Sequence, residues 1–431
     1  MALLIKNGHV IDPANGIDGV RDLFVWNRRM ADPLKWQSGA YDPVVDGKVE
    51  TIDAAGKIVC PGLIDLHVHL REPGQSAKET IETGTRAAAA GGFTSVVCMP
   101  NTSPAADSPS VIALINQKAE EKACINVFTT GAITRGIAGE ELAPIGSLKK
   151  AGVVALTDDG HCVQNNELMR RAVEYARMFD LPVMDHCQDY NLVGNGVMNE
   201  GQWSVRWGLP GWPALGEEII VARNILISEK TDHYIHCQHL SCAGSVRLIR
   251  EARKRGVKIS GEVCPHHILL TDELVGGFDT NFKMNPPLRT RADIEELLAG
   301  IADGTITVLA SDHAPHCAFE KEVEFDQAPF GILGLETELS LFLKALVHSK
   351  VISLKRMIEM FTVEPARLLK LKKGSLEEGA DADITIIDPG LPWTVDRNQS
   401  LSKSRNTPFH GWELTGRAVM TIVSGKVVWR L

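Results

Sequence analysis

The sharpest chemical signal in the chain is Asp65-Leu-His-Val-His-Leu-Arg71, at the end of a short apolar run. Alternate side chains of an extended strand share a face, so His67 and His69 point the same way and offer two imidazoles to one metal ion. Asp159, His186, His239 and Asp312 each follow another β-type run in the same manner. Any one of them alone suits a cap, a turn or a satisfied polar group. Together, four imidazoles and two carboxylates are enough for two divalent ions with a carboxylate between them. Such ions lower the pKa of a water towards neutrality, and the chemistry this predicts is hydrolysis.

A grip of this kind needs a scaffold that brings strand ends to one face. From Leu63 onward, β-branched runs alternate with longer amphipathic segments, the pattern of βα units around a parallel sheet. Eight strands are predicted, near residues 63–68, 94–98, 125–130, 153–157, 182–185, 233–237, 257–262 and 306–310. Eight such strands close an α/β fold, the (β/α)8 TIM-like barrel, whose catalytic groups sit at the C-terminal strand ends. Helix signals lie between them, in the alanine run ending at Gly91-Gly92 and over residues 165–177. Strand patterns also occupy both ends of the chain and cannot bury their faces alone. The simplest solution is one small β-domain built from residues 1–60 and 372–431, flanking a barrel over 61–371. The Gly- and Trp-rich stretch 194–213 reads as a long loop, where function often sits.

The 431 residues are 44% hydrophobic and 23% charged, a globular balance that excludes disorder as the main state. The 45 basic residues against 54 acidic ones leave a net charge of −9, so neither nucleic acid nor an anionic membrane is an expected partner. No stretch reads as a membrane span, and the apolar start closed by Lys6 is too short for a signal peptide. Nine cysteines without a CxxC pair fit reduced thiols in the cytoplasm.

Longer motifs then carry a resemblance. They are Pro61-Gly-Leu-Ile-Asp-Leu-His-Val-His-Leu-Arg-Glu-Pro-Gly74, Met99-Pro-Asn-Thr102, Thr157-Asp-Asp-Gly160, His186-Cys187, Met284-Asn-Pro-Pro-Leu-Arg289, and Ala310-Ser-Asp-His-Ala-Pro-His316 with Lys321 beyond it. With them, nearly the whole chain resembles the dihydroorotases of the type I class in the amidohydrolase superfamily. The resemblance implies reversible cyclisation of N-carbamoyl-L-aspartate to L-dihydroorotate in pyrimidine biosynthesis, with two zinc ions per subunit. It implies that His67, His69 and Asp312 hold one zinc, that His186 and His239 hold the other, and that Asp159 bridges them, with Asp158 the second choice. Many relatives bridge with a carboxylated lysine on the fourth strand, but Lys149 and Lys150 precede that strand here.

By the same resemblance Asp312 shuttles the proton, and Arg71, Asn101 and Asn285 clamp the substrate carboxylate. His316 and the Pro329-Phe330-Gly331-Ile332 backbone would contact the ring. Three features depart from the class: residues 25–47 look like an insertion, Gln188 stands where an acid is expected, and 201–213 is rich in tryptophan. The expected partners are the small-molecule substrate, a second copy of the chain in a homodimer, and aspartate transcarbamoylase. A hydantoinase or allantoinase is the enzymatic alternative, disfavoured because its substrate would leave the Arg71 guanidinium unpaired. A catalytically silent barrel docking aspartate transcarbamoylase is the non-enzymatic one, disfavoured because the whole ligand set is present.

Other histidines compete for attention. His161, His233, His236, His266, His267 and His313 are expected to be structural, since strand alternation turns His236 away and the His266-His267 pair begins after strand seven. Cys187 and Cys317 read as small buried thiols, and Arg289 and Lys321 as loop anchors.

Overall fold

The apolar runs from Leu63 onward become eight parallel strands: β1 (Leu63–Val68), β2 (Phe93–Cys98), β3 (Asn126–Gly131), β4 (Ala155–Leu156), β5 (Val183–Asp185), β6 (Ile235–Cys237), β7 (Ile259–Val263) and β8 (Val308–Leu309). They pair in chain order, and the ring closes where Val68 bridges His313, just past β8. Strands β1, β2 and β7 are buried along their whole length, as a parallel sheet with both faces covered requires. Every predicted strand is present. Those at β4 and β8 are shorter than the sequence pattern, although flanking residues still bond the neighbouring strand, as Val154 and Thr157 do to β3 and Ala310 to β7. This computed structural model describes residues 2–37 and 49–431.

Helices cover the ring where the sequence places them. Ile81–Gly91 starts at a Thr80 capping box and stops at Gly92, whose φ of 96° is left-handed. A Cβ at Gly92 would lie 2.9 Å from Ala418 Cβ, so this glycine also lets the C-terminal segment pack on the barrel. Asn166–Met178 is capped by the Asn165 side chain, which accepts from the N–H groups of Glu167 and Leu168. No helix among the described residues is long and apolar enough to cross a membrane.

Both chain ends share one sheet. Its strands run in the order Lys426–Arg430, Glu413–Val423, Ile384–Thr394, Ile58–Pro61, Ala2–Asp12, Ile17–Trp26 and Arg29–Ala31, and Val49–Asp53 also pairs with Ala2–Asp12. Leu3, Ile5, Val59, Ile384 and Ile422 form its own apolar core. Of the expected 25–47 insertion, the described part holds the short strand Arg29–Ala31 and the helix Pro33–Gln37; residues 38–47 lie outside the described residues.

One expectation is corrected. Residues 194–213 are not a plain loop: Met198–Asn199 pairs with Gly211–Trp212, and the helix Gln202–Trp207 lies between them. The tryptophans explain it, because Trp203 and Trp207 stack at 5.0 Å one helical turn apart, and Trp212 is buried. Arg289 is the anchor that the sequence suggests, lying 4.3 Å over the Trp212 ring and donating to Trp212 O and Asn199 Oδ1. All nine cysteines are free; Cys187 is buried as expected, whereas Cys317 is partly exposed.

Candidate metal and substrate site

The C-terminal strand ends surround a cavity of about 430 Å³. It is lined by Asp312, Arg71, Asn101, Asn285, His316, Phe330, Gly331, His69, Asp159, His186 and His239; His67 lies fully buried beside it. Thus the barrel brings together the six expected ligands and the expected substrate contacts, apart from Ile332, which does not line the cavity. Three of them, Arg71, His239 and Asp312, have positive φ values of 59°, 30° and 48°. Non-glycine residues rarely adopt this conformation, and such strain, about 1–3 kcal/mol each, concentrates where a site imposes it.

Asp159 stands in the middle of the imidazoles. Its carboxylate oxygens are 3.2 Å from His67 Nε2, 3.4 Å from His69 Nε2, 3.8 Å from His186 Nδ1 and 3.7 Å from His239 Nε2. Asp312 Oδ1 lies 3.1 Å from His69 Nε2 and 3.5 Å from His67 Nε2. Asp158 turns away: it accepts the N–H groups of Ile133 and Thr134 and the Thr134 hydroxyl, so it anchors a loop. Burial raises the pKa of both Asp159 and Asp312, yet the facing histidines, His67 first, outweigh it and hold both carboxyls far below the usual range.

Three of the four imidazoles meet an acceptor on the outer side, whereas His239 Nδ1 is buried without a partner. His67 Nδ1 meets Glu262 Oε1 at 2.6 Å, His69 Nδ1 meets Asn101 Oδ1 at 2.9 Å, and His186 Nε2 meets Gln188 Oε1 at 2.9 Å. On a neutral ring such an acceptor takes the proton and leaves the inner nitrogen a lone pair for a cation. When no cation is bound, and in spite of burial, Asp159 and Glu262 raise the His67 pKa well above its usual value, and Asp159 likewise raises that of His239. Burial, with His239 beside it, pushes the His186 pKa down to about 4, so it stays neutral. Two carboxylates among four imidazoles make a surplus of lone pairs that protons or metal cations must balance. His67 Nε2 and Asp159 Oδ1 are buried with no hydrogen-bond partner. His67, His69 and Asp312, and His67, Asp159 and His239, each form a group able to hold a metal ion. The donor set fits such ions.

The opposite side of the cavity is cationic. The Arg71 guanidinium is buried, donates through Nε to Pro315 O at 3.2 Å, and has no carboxylate within ion-pair distance among the described residues. Burial lowers its pKa to about 10 in spite of Asp312 and Asp159. His316 Nε2 donates to Phe330 O at 2.8 Å. Its pKa falls to about 2, through burial first and then through Arg71 and Lys321. Asn285 Nδ2 donates to Gln188 Oε1 at 2.8 Å, so the residue standing in place of an acid organises the site through its amide; Asn285 Oδ1 is buried without a partner.

Of the histidines expected to be structural, His233 Nε2 meets Leu181 O at 2.6 Å, His267 Nε2 meets Pro286 O at 2.9 Å, and His313 Nδ1 accepts from Gly334 N at 3.2 Å. His161 lines the cavity, with Nδ1 3.3 Å from the Tyr190 hydroxyl, and His266 is buried. His236 is the informative exception. Sequence reading set it aside and missed Glu262, yet the two are linked: Glu262 Oε1 accepts from His67 Nδ1 and from the His239 N–H (3.1 Å), and Oε2 lies 3.0 Å from His236 Nε2. Burial works to raise the Glu262 pKa, but His67 and His236 pull it to about 2. The available signal was a carboxylate inside the run Ile259-Ser-Gly-Glu-Val263, since a barrel strand buries a charge only if it is paired.

Comparisons with known proteins agree with this geometry. A family model described as dihydro-orotase-like matches residues 56–245, and one described as amidohydrolase family matches residues 229–429. The dihydroorotase of Pelotomaculum thermopropionicum is 53% identical over 428 residues, covering 99% of this chain and 98% of its own. That of Syntrophotalea carbinolica is 50% identical over 431 residues, with both chains fully covered. Among solved structures, the L-hydantoinase (dihydropyrimidinase) from Arthrobacter aurescens superposes with a TM-score of 0.87 at 24% identity, covering 99% of this chain and 96% of that one. A D-hydantoinase from a Bacillus species gives 0.85 at 25%, covering 99% and 95%. Sharing half its residues with these relatives over its full length, the chain belongs to the dihydroorotase family.

Proposed function

We propose that the chain catalyses the reversible cyclisation of N-carbamoyl-L-aspartate to L-dihydroorotate, with two zinc ions held by His67, His69, Asp159, His186, His239 and Asp312. The observation that carries the reading is Arg71. A buried guanidinium without a counter-ion among the described residues, facing the cavity that also holds the ligand cluster, calls for a substrate that brings its own carboxylate.

When bound, divalent ions supply Lewis acidity toward the ring amide carbonyl and lower the pKa of an attacking water. The chain's own groups do the rest. Arg71 offers a planar fork of donors to the ring carboxylate, with the Asn101 and Asn285 amides at its sides. His316, kept neutral, holds Phe330 O in place, so that the Phe330-Gly331 backbone packs against the ring. In ring opening, a water oxygen bonds to the amide carbon and its proton passes to Asp312. The C–N bond breaks as Asp312 delivers that proton to the departing nitrogen, and closure runs the same steps backwards.

Steady-state turnover of dihydroorotate and of dihydrouracil by the metal-loaded protein tests this. The ring without a carboxylate should be slower in kcat/KM by a few hundred-fold or more, because it leaves Arg71 buried and unpaired. Equal turnover of the two rings would overturn the reading in favour of a hydantoinase.

A further inference from the structure

Two lysines lie buried next to the substrate side of the cavity, Lys283 at 2% and Lys321 at 7% exposure. Neither has a carboxylate within ion-pair distance among the described residues. Some other cations withdrawn from solvent do have one: buried Arg223 is 2.7 Å from Asp185, and half-buried Lys373 is 2.7 Å from both Asp381 and Asp383. The acceptors of Lys283 and Lys321 are instead two carbonyls of a single short segment. Lys283 Nζ donates to Asp326 O at 2.9 Å, and Lys321 Nζ donates to Pro329 O at 2.8 Å.

That segment continues into the cavity wall. Pro329, Phe330 and Gly331 line the cavity, Phe330 O accepts from His316, and the Gly331 N–H donates to Lys283 O at 2.9 Å. Lys283 Nζ also lies 4.7 Å over the Phe330 ring. Burial makes both charges expensive, pushing Lys283 down to about 8 although Asp326 is near, and Lys321 to about 7, where Lys283 lowers it further and Asp279 and Glu320 only partly oppose. A methionine of similar length would fill either place without this cost.

We propose that Lys283 and Lys321 are positioning residues for substrate binding, whose ammonium groups hold the 326–331 main chain as the wall that closes on the ring of the bound anion. The wall is continuous with the carboxylate side, because His316 touches both Phe330 O and, at 3.5 Å, the Arg71 guanidinium. The choice of anion rests on the dihydroorotate reading above.

The test uses Lys283→Met and Lys321→Met in the metal-loaded enzyme. Each should raise KM for dihydroorotate about tenfold, the size of one lost charge-assisted contact, while kcat stays within about twofold and metal content is unchanged. Amide hydrogen exchange without substrate should accelerate over 326–331 in both variants and nowhere else in the barrel. Lys321→Arg, which keeps charge and donors, should hold KM near the wild-type value, and it carries the test if a methionine variant fails to fold. Unchanged KM in both methionine variants, kcat falling while KM holds, or an arginine variant as impaired as the methionine one would overturn the proposal. A wild-type enzyme that ignored dihydroorotate would refute the substrate reading alone, since the exchange measurement needs no substrate.

Discussion

On one side of the cavity, Asp159 and Asp312 lie among imidazole nitrogens; on the other, Arg71 on the lining and Lys283 and Lys321 behind the 329–331 segment are buried with main-chain carbonyls as their acceptors. The first side collects carboxylates and ring nitrogens that call for cations, and the second collects positive charge. Each is unfavourable taken alone, and burial raises the cost of both. The contrast teaches that the fold gathers two unmet electrostatic demands around one cavity, one for cations and one for a carboxylate. A ligand with a carboxylate beside a cyclic amide answers both together.

Stripping the metal wall should have the largest effect. Chelation should take activity to background and added zinc should restore it; full turnover in protein shown metal-free by elemental analysis would break the contrast. Asp312→Asn should keep at least one ion and lose about 10³-fold or more in kcat, since it removes both a proton carrier and a ligand charge. Next is the cationic wall. Arg71→Met should cost dihydroorotate a few hundred-fold in kcat/KM and leave dihydrouracil almost unchanged, and an equal loss for both rings would show that Arg71 only supports the fold.

Smaller effects separate neighbouring carboxylates. Glu262→Gln should weaken metal binding about 10–100-fold in a chelator competition, because Glu262 orients His67 through its ring and His239 through its main chain. Asp159→Ala should lower the occupancy of both ions. Asp158→Ala should leave occupancy intact and cost about 1–3 kcal/mol of stability, read from denaturant unfolding, by freeing buried N–H groups. The smallest effect is a pH slope. His316 titrates near 2 when folded and near 6.5 when unfolded, so unfolding takes up a proton between those values and stability falls as the pH drops. Metal-free His316→Asn should therefore lose less stability than the wild type between pH 6 and 4, by up to about 1.4 kcal/mol per pH unit. Parallel curves would mean that His316 is not held neutral.

Much of this was legible in the chain. His67, His69, His186 and His239 announce themselves because each follows a β-branched run, and the end of a barrel strand is where such a fold collects side chains. Asp159 over Asp158 is a different matter: only the three-dimensional turn after β4 shows which carboxylate faces inward and which caps Ile133 and Thr134. Glu262 and His236 escaped because their value lies in pairing across strands β1, β6 and β7, and no local period encodes that. The 194–213 stretch misled for the opposite reason: its glycines spoke for a loop, while the spacing of Trp203 and Trp207 spoke for a helix.

The seam of the terminal sheet has a consequence for how the protein is made. Cys60 and Thr385 meet across it although they are 325 positions apart in the chain. While a ribosome is still translating the barrel, the strand Ile58–Pro61 therefore exposes an open edge on the side that Ile384–Thr394 will later take. An exposed strand edge is a template for pairing with a second chain, and in a crowded polysome the nearest candidates are identical nascent copies. The last strands to emerge thus act as a molecular stopper, and products released early should accumulate as aggregates even when their barrel is complete.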